Sequence, residues 1–280
     1  MPFELVVSQG RIADRSPGAI RGAALATDVL RKITGLTPVI VGTPAPPERD
    51  DWTASLPEAR ETLEALQDTV AAIISRGNKP LIVANTCSAS LASLPVAARE
   101  HPDAIILWID AHGDFNTPDT TESGYLGGMV LAAACGLWDS GHGNNLDPQR
   151  VVLVGARDID AAEGKLLEEA GVTVLAPEQT TPKTVLNMIG NDPVWIHIDW
   201  DVLEPNFVPA AYAVENGLMP DVLKTILAAI PARQIVGIEL AEFEASNDPA
   251  ANAQALKVLG DVIHPLLTLV REGSSSTAHH

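Results

Sequence analysis

Short apolar runs of strand length alternate with helical stretches along the whole of this 280-residue chain. The predicted strands cover residues 3–8, 38–42, 80–85, 104–111, 151–156, 172–176, 194–200 and 235–241. The predicted helices cover residues 18–34, 57–76, 88–100, 161–170, 182–189, 220–230 and 250–272. Because several of the apolar runs are continuous rather than alternating, we expect a mostly parallel sheet that is covered on both faces. The pattern predicts an α/β fold, in the form of a three-layer α/β/α sandwich with about eight strands.

One large domain fits this pattern better than two small ones, because 46% of the residues are hydrophobic and no internal repeat or strong boundary interrupts the alternation. We assign residues 1–272 to this domain and predict a disordered polar tail over residues 273–280. No apolar run is long enough to span a bilayer. The first four residues, Met-Pro-Phe-Glu, lack the basic and apolar regions of a signal peptide. With two cysteines and no disulfide framework, we expect a cytoplasmic protein.

The formal net charge is −18, from 36 acidic and 18 basic residues, and the basic residues form no stripe. A nucleic-acid partner is therefore not expected. Most of the acidic residues are expected to keep the surface soluble. Some of them, however, follow predicted buried strands, where solubility does not explain them.

The first such group follows the apolar run 104–109, where Asp110, His112 and Asp114 stand at alternate positions. In an extended chain, alternate residues share a face, so these three side chains can converge on one point. Carboxylates and an imidazole suit manganese, iron, zinc or cobalt. Taken alone, the motif leaves another interpretation open, in which one aspartate caps a turn and His112 is a hydrogen-bonded polar neighbour.

A second apolar run, 194–198, leads into Asp199 and Asp201, with one residue between them. Like charges at two neighbouring buried strand ends would repel each other strongly. A pair of divalent cations removes this conflict, so the two motifs together predict a metal site. His197 precedes the second pair and is interpreted as a residue that packs beside the ligands or supports them.

The two segments resemble the paired metal-binding motifs of the arginase (ureohydrolase) family, Asp-x-His-x-Asp and Asp-x-Asp, in their order and separation. Further similarity covers residues 114–124, 155–160 and 237–242, together with Glu163, and thus extends over nearly the whole chain. The resemblance implies an arginase-like hydrolase of carbon–nitrogen bonds in linear amidines. It also implies two divalent metal ions, normally Mn²⁺, a bridging hydroxide that attacks the guanidino carbon, and a small guanidino amino acid as substrate. An oligomer is compatible with the same resemblance.

By this resemblance, six residues hold the metals: Cys87, Asp110, His112, Asp114, Asp199 and Asp201. Asp110 and Asp199 would bridge the two ions. The substrate residues would be Asn116 and Ser123 for the α-carboxylate, Asp160 with support from Glu163 for the α-ammonium group, and Glu242 for the guanidinium nitrogens. Asp114 and Glu242 would act at the reacting group, and Asp114 would pass a proton to the departing amine. For each substrate residue, an ordinary loop or cap role is the alternative.

Cys87 stands where the family has a histidine ligand, in the segment that follows the third predicted strand. A cysteine at the end of a buried strand is ordinarily a small core residue. The alternative, which we favour, is that a metal lowers the pKa of the thiol and the thiolate becomes a ligand. Cys135 lies in the apolar stretch 130–136 and is predicted to be a core residue.

Gly127 is a second departure, because arginases carry at this position a histidine that is proposed to shuttle protons to the departing amine. The combination of Cys87 and Gly127 resembles a group of the family that cleaves Nω-hydroxy-L-arginine to hydroxyurea and L-ornithine in the biosynthesis of the antibiotic D-cycloserine. Two other functions stay open. The first is another ureohydrolase of the arginase or agmatinase type, although Ser123 and Asp160 favour an amino-acid substrate. The second is a catalytically idle metal-binding relative, which the retention of five of the six ligands disfavours.

Overall fold

The computed structural model describes residues 2–275, and its central element is an eight-stranded parallel sheet. The strands are β1 (Phe3–Ser8), β2 (Val39–Val41), β3 (Lys79–Val83), β4 (Ile105–Ile109), β5 (Val151–Val154), β6 (Thr173–Leu175), β7 (Val194–Asp199) and β8 (Ile235–Ala241). Their order across the sheet is β2-β1-β3-β8-β7-β4-β5-β6. Each strand begins and ends within two residues of its predicted bounds, and every neighbouring pair is parallel. The predicted sheet is confirmed.

Helices cover both faces of this sheet. They are α1 (Gly18–Thr34), α2 (Trp52–Ser75), α3 (Ser90–Glu100), α4 (Val130–Ala134), α5 (Ala161–Ala170), α6 (Pro182–Ile189), α7 (Pro220–Ala229) and α8 (Pro249–Ser275). Buried residues of α1, α6, α7 and α8 share one core with Leu107 and Ile109 of β4. Those of α2, α3, α4 and α5 share a second core with Ile106 and Trp108, the alternate residues of the same strand. The two cores lie on opposite faces of the sheet, which confirms the three-layer sandwich.

Two helices differ from their predicted bounds by three residues or more. Helix α2 begins at Trp52 rather than at residue 57, because the side chain of Asp51 caps it by accepting the N–H of Thr53 at 2.9 Å. Helix α8 continues to Ser275, so residues 273–275 are helical and not part of a tail. The rest of the predicted tail, residues 276–280, lies outside the described residues. Within the described part of the chain, no helix is both long and apolar enough to cross a membrane.

The order of the strands places the candidate ligands together. Strands β3, β8, β7 and β4 are consecutive neighbours, so their carboxyl ends lie side by side at one edge of the sheet. Ile109 of β4 pairs with Ile198 of β7, and Ile198 pairs with Leu240 of β8. The next residues along β4 and β7 are Asp110 and Asp199. The register therefore brings these two aspartates to the same level.

Helix α1 packs unusually closely against the segment that follows β8. A Cβ atom on Gly22 would lie 1.6 Å from the backbone oxygen of Phe243, so only glycine fits there. Ala245 continues the contact by donating its N–H to the backbone oxygen of Gly18 at 3.0 Å. Because Phe243 directly follows Glu242, this contact fixes the chain that carries a predicted site residue.

Candidate active site

Two buried carboxylates, Asp110 after β4 and Asp199 at the end of β7, form the centre of the candidate site. One oxygen of each accepts the backbone N–H two residues further on, from His112 to Asp110 at 2.8 Å and from Asp201 to Asp199 at 2.8 Å. The other oxygens, both Oδ2, lie near Cys87. Its Sγ atom is 3.9 Å from that of Asp110 and 3.1 Å from that of Asp199. The three side chains predicted from distant segments therefore meet.

A first group of potential metal donors contains Asp110, His112 and Asp201, whose donor atoms lie within 4.8 Å of one another. His112 Nδ1 is 3.0 Å from Asp201 Oδ2 and 3.4 Å from Asp110 Oδ1. The backbone N–H of Ala111 donates to Asp201 Oδ1 at 3.1 Å and so joins the loops after β4 and β7. Burial lowers the pKa of His112, but its hydrogen bonds to the two carboxylates raise that pKa overall.

A second group contains Cys87, Asp199 and Glu242, again within 4.8 Å of one another. Cys87 begins a short 3-10 helix after β3, is buried, and donates its backbone N–H to Glu242 Oε1 at 2.9 Å. Burial, and next the charge of Asp199, raises the pKa of the thiol well above its ordinary value. A thiolate at this position therefore requires a cation beside it.

His197 and Glu239 form a buried pair next to Cys87. His197 Nε2 lies 3.4 Å from the Cys87 Sγ atom, and His197 Nδ1 lies 3.4 Å from Glu239 Oε2. The imidazole stacks on Trp108, with ring centroids 3.5 Å apart and planes 3° from parallel. The sequence pattern predicts that His197 packs beside the ligands or supports them, but it does not single out Glu239. The available signal was a glutamate inside the otherwise apolar strand β8, where a charge needs a partner.

The carboxylates of this site lack enough neutralising partners within the protein. Asp114 is buried, and its Oδ2 atom has no hydrogen-bond partner among the described residues. Burial, followed by the charge of Asp110, raises the pKa of Asp114 well above its usual range. Burial, followed by the charge of Asp201, does the same for Asp199. Buried acids without compensation destabilise a fold, whereas carboxylate, imidazole and thiol donors suit divalent cations. The residues present therefore fit a metal centre.

A cavity of about 250 Å³, here called the metal-site cavity, opens onto these donors. Ten of the eleven predicted site residues line it, and Asp110 is the exception. At its wall, Asn116 Nδ2 donates to Asp160 Oδ2 at 3.4 Å, and Asp160 caps α5 by accepting the N–H of Glu163 at 3.0 Å. Glu163 Oε1 accepts the N–H of Phe115 at 2.8 Å. Asp160 therefore has the helix-capping role that was given as its alternative, and it lines the cavity as well.

Glu242 also lines the metal-site cavity and adopts a positive φ of 66°. Burial raises its pKa to about 8. Besides the N–H of Cys87, its Oε1 atom accepts the hydroxyl of Tyr125 at 3.1 Å. Tyr125 also lines the cavity but was not predicted as a site residue. Cys135, predicted as core, is only partly buried, because it follows the end of α4.

Comparison with known proteins identifies the family of this chain. Residues 1–264 match the family model of the arginase family. The Nω-hydroxy-L-arginine amidinohydrolase of Streptomyces lavendulae is 52% identical over 263 residues, which cover 94% of this chain and 96% of that protein. The arginase of Bacillus caldovelox is 31% identical over 167 residues, which cover 54% of this chain and 55% of that protein. A solved structure of arginase from Bacillus caldovelox superimposes with a TM-score of 0.81 at 22% identity and covers 95% of this chain and 98% of that chain. The chain therefore belongs to the arginase family, whose members are metal-dependent hydrolases of guanidino carbon–nitrogen bonds.

Proposed function

We propose that this chain hydrolyses Nω-hydroxy-L-arginine to hydroxyurea and L-ornithine. The observation that carries the proposal is the 52% identity, over 94% of the chain, to the Streptomyces lavendulae enzyme whose name states this substrate. Cys87 and Gly127 support it, because both depart from the histidines that arginases carry at these positions and both line the metal-site cavity. We also propose that the reaction serves antibiotic biosynthesis, as the resemblance at Cys87 and Gly127 implies, and that it takes place in the cytoplasm.

The proposed metals are two divalent cations, with Mn²⁺ as the native ion. The residues that would hold them are Cys87, Asp110, His112, Asp114, Asp199 and Asp201. When bound, such ions lower the pKa of a water molecule and supply hydroxide at neutral pH. Five hard or borderline donors suit Mn²⁺, and the softer thiolate at Cys87 adds a negative charge to the site.

Within the protein, Asp114 and Glu242 would act closest to the guanidino group. Asp114 is buried and its Oδ2 atom is unpartnered among the described residues, so it can hold a proton and pass it to the departing δ-nitrogen. Glu242 would accept hydrogen bonds from the guanidino nitrogens through its carboxylate. The remaining residues would bind the amino-acid end. Asn116 and Ser123 would hold the α-carboxylate, and Asp160, supported by Glu163, the α-ammonium group.

Steady-state kinetics with Mn²⁺ supplied tests this proposal. We expect kcat/KM for Nω-hydroxy-L-arginine to exceed that for L-arginine, and agmatine to be the poorest substrate because it lacks the α-carboxylate that Asn116 and Ser123 would bind. Equal or better turnover of L-arginine would reject the proposed substrate and leave the family unchanged. Detection of hydroxyurea and ornithine in equal amounts checks the bond that is cleaved.

A further inference from the structure

Tyr125 lies between two cavities. On one side is the metal-site cavity, and on the other is a second cavity of about 490 Å³ that Arg15 lines. Tyr125, Tyr212 and Glu242 are among the residues that line both. A side chain in this position lies between the two cavities and can contact a substrate that binds in the metal-site cavity.

The hydroxyl of Tyr125 is held in a defined orientation. It lies 3.1 Å from Glu242 Oε1, and the same oxygen accepts the backbone N–H of Cys87 at 2.9 Å. When the phenol donates its one hydrogen to Glu242, its oxygen keeps lone pairs and can accept a hydrogen bond from a substrate group.

The ring of Tyr125 occupies the space beside Gly127. A Cβ atom built on Gly127 would lie 2.4 Å from Tyr125 Cε1, which is far inside van der Waals contact. Two other side chains lie near the Tyr125 ring. The guanidinium of Arg15 is 4.8 Å from its centroid, and the centroid of the Tyr212 ring is 5.2 Å from it. Arg15 is itself anchored, because it donates to the backbone oxygens of Asp50 at 2.7 Å and Ser123 at 3.2 Å. The ring thus fills the place that opens because residue 127 has no side chain.

We propose that Tyr125 determines substrate specificity, in that its phenol oxygen accepts a hydrogen bond from the Nω-hydroxyl group of the substrate. This inference rests on the proposed function. Glu242 would bind the guanidino nitrogens, and the hydroxyl oxygen lies one bond beyond such a nitrogen. The phenol oxygen is hydrogen-bonded to the Glu242 carboxylate, and both residues line the metal-site cavity. L-Arginine has no hydroxyl group there and cannot make this hydrogen bond, which selects against it.

The variant Tyr125→Phe tests the role of the hydroxyl while it keeps the ring. We expect kcat/KM for Nω-hydroxy-L-arginine to fall about tenfold further than that for L-arginine, because both substrates lose the effect of Tyr125 on Glu242 but only the first loses the hydrogen bond to its hydroxyl group. The matched control is Tyr212→Phe, since the chain has only two tyrosines and both line the two cavities. The control should leave the ratio of the two kcat/KM values unchanged. A Tyr125→Phe enzyme that loses activity equally on both substrates overturns the inference.

The activity of the wild type and the selectivity of Tyr125→Phe distinguish a failure of the inference from a failure of the proposed function. If the wild-type enzyme does not hydrolyse Nω-hydroxy-L-arginine, the proposed function is wrong and the inference falls with it. If the wild type is selective and Tyr125→Phe keeps the same selectivity, only the inference is wrong. The metal content of Tyr125→Phe, measured by elemental analysis, should equal that of the wild type, because the hydroxyl is not among the proposed ligands. A loss of metal would instead assign Tyr125 a structural role and overturn the inference.

A double-mutant cycle tests the placement of the ring without any substrate. Gly127 lies in a 3-10 helix, where alanine is tolerated by the backbone, so Gly127→Ala should destabilise the protein only through contact with Tyr125. We expect Gly127→Ala to lower Tm in the wild type and to have little effect in a Tyr125→Ala background. Equal effects in the two backgrounds would show that the ring does not occupy this space, against the inference.

Discussion

The Sγ atom of Cys87 lies 3.1 Å from Oδ2 of Asp199, although the two residues are 112 positions apart in the chain. Each comes from the carboxyl end of a parallel strand, and β8 lies between these two strands in the sheet. Burial and the surrounding acids raise the pKa of the thiol, so the protein alone favours its neutral form. A divalent cation would reverse this preference and allow the thiolate to act as a ligand. We propose that a metal ion, rather than core packing, explains this pair.

Substitution of Cys87 distinguishes these two roles. If Cys87 is a ligand, Cys87→Ala should lose about one of the two metal ions and nearly all activity, because the reaction needs both. Cys87→His should recover at least part of the metal, since imidazole is the usual donor in the family. If the residue only fills the core, Ala should keep the metal content, and the larger His should be the disruptive change. Elemental analysis of the folded variants gives the ranking.

Asp114 is expected to act on the proton of the leaving group. Asp114→Asn keeps the size of the side chain but removes its acid, so kcat should fall by about 100-fold or more, a typical effect for a lost general acid or base. Asp119→Asn, an exposed change in the same loop, is the matched control and should keep kcat within about twofold. Similar kcat values for the two variants would refute the role of Asp114.

Stability should depend on pH through Asp14. This buried residue accepts the N–H of Ile12 at 2.8 Å, and burial raises its pKa to about 7. An unfolded aspartate titrates near pH 4, so the folded state holds the proton more tightly and the stabilising effect is lost as pH rises from about 4 to about 7. The unfolding free energy of the wild type, relative to that of Asp14→Asn, should fall over this range by at most about 1.4 kcal/mol per pH unit. Urea titrations of both proteins across this pH range measure the difference in unfolding free energy. A difference that does not change with pH would contradict the raised pKa of Asp14.

The close contact of helix α1 gives a stability prediction. Gly22→Ala places a methyl group against the backbone oxygen of Phe243 and should cost about 1–3 kcal/mol of unfolding free energy. Gly260→Ala in α8 is the matched control, since a Cβ atom there meets no atom within 4 Å. That change should stabilise the protein slightly, by about 0.5–1 kcal/mol, because alanine favours helix more than glycine does. Thermal unfolding compares the two, and a neutral Gly22→Ala would show that the contact is looser than described.

Much of the fold could be predicted because local signals agree with it. The strands are continuous apolar runs that end at polar residues, and this pattern set all eight within two residues of their bounds. The start of α2 could not be read in the same way. The predicted helix begins at Pro57, because proline is common in the first turn of a helix. The observed helix begins five residues earlier, since Asp51 caps it, and Pro57 lies inside the helix.

The proximity of the candidate metal donors could be predicted, because Asp110 and Asp199 each follow an apolar stretch of a strand and the neighbouring strands then place them together. Cys87 was assigned by resemblance, since nothing in its local sequence distinguishes a ligand from a core thiol. Tyr125 was missed for a physical reason. It reaches Glu242 across 117 positions of sequence, and no spacing rule encodes such a contact.

Anomalous scattering from crystals grown with Mn²⁺ tests the central claim most directly. We expect two peaks about 3.5–4 Å apart between Asp110 and Asp199, as in other dinuclear hydrolases, with the Cys87 sulfur coordinated to one of the ions. Data collected on both sides of the manganese absorption edge identify the element. Absence of any peak between the two aspartates in fully loaded crystals, or two ions with the Cys87 sulfur outside coordination distance, would contradict this account.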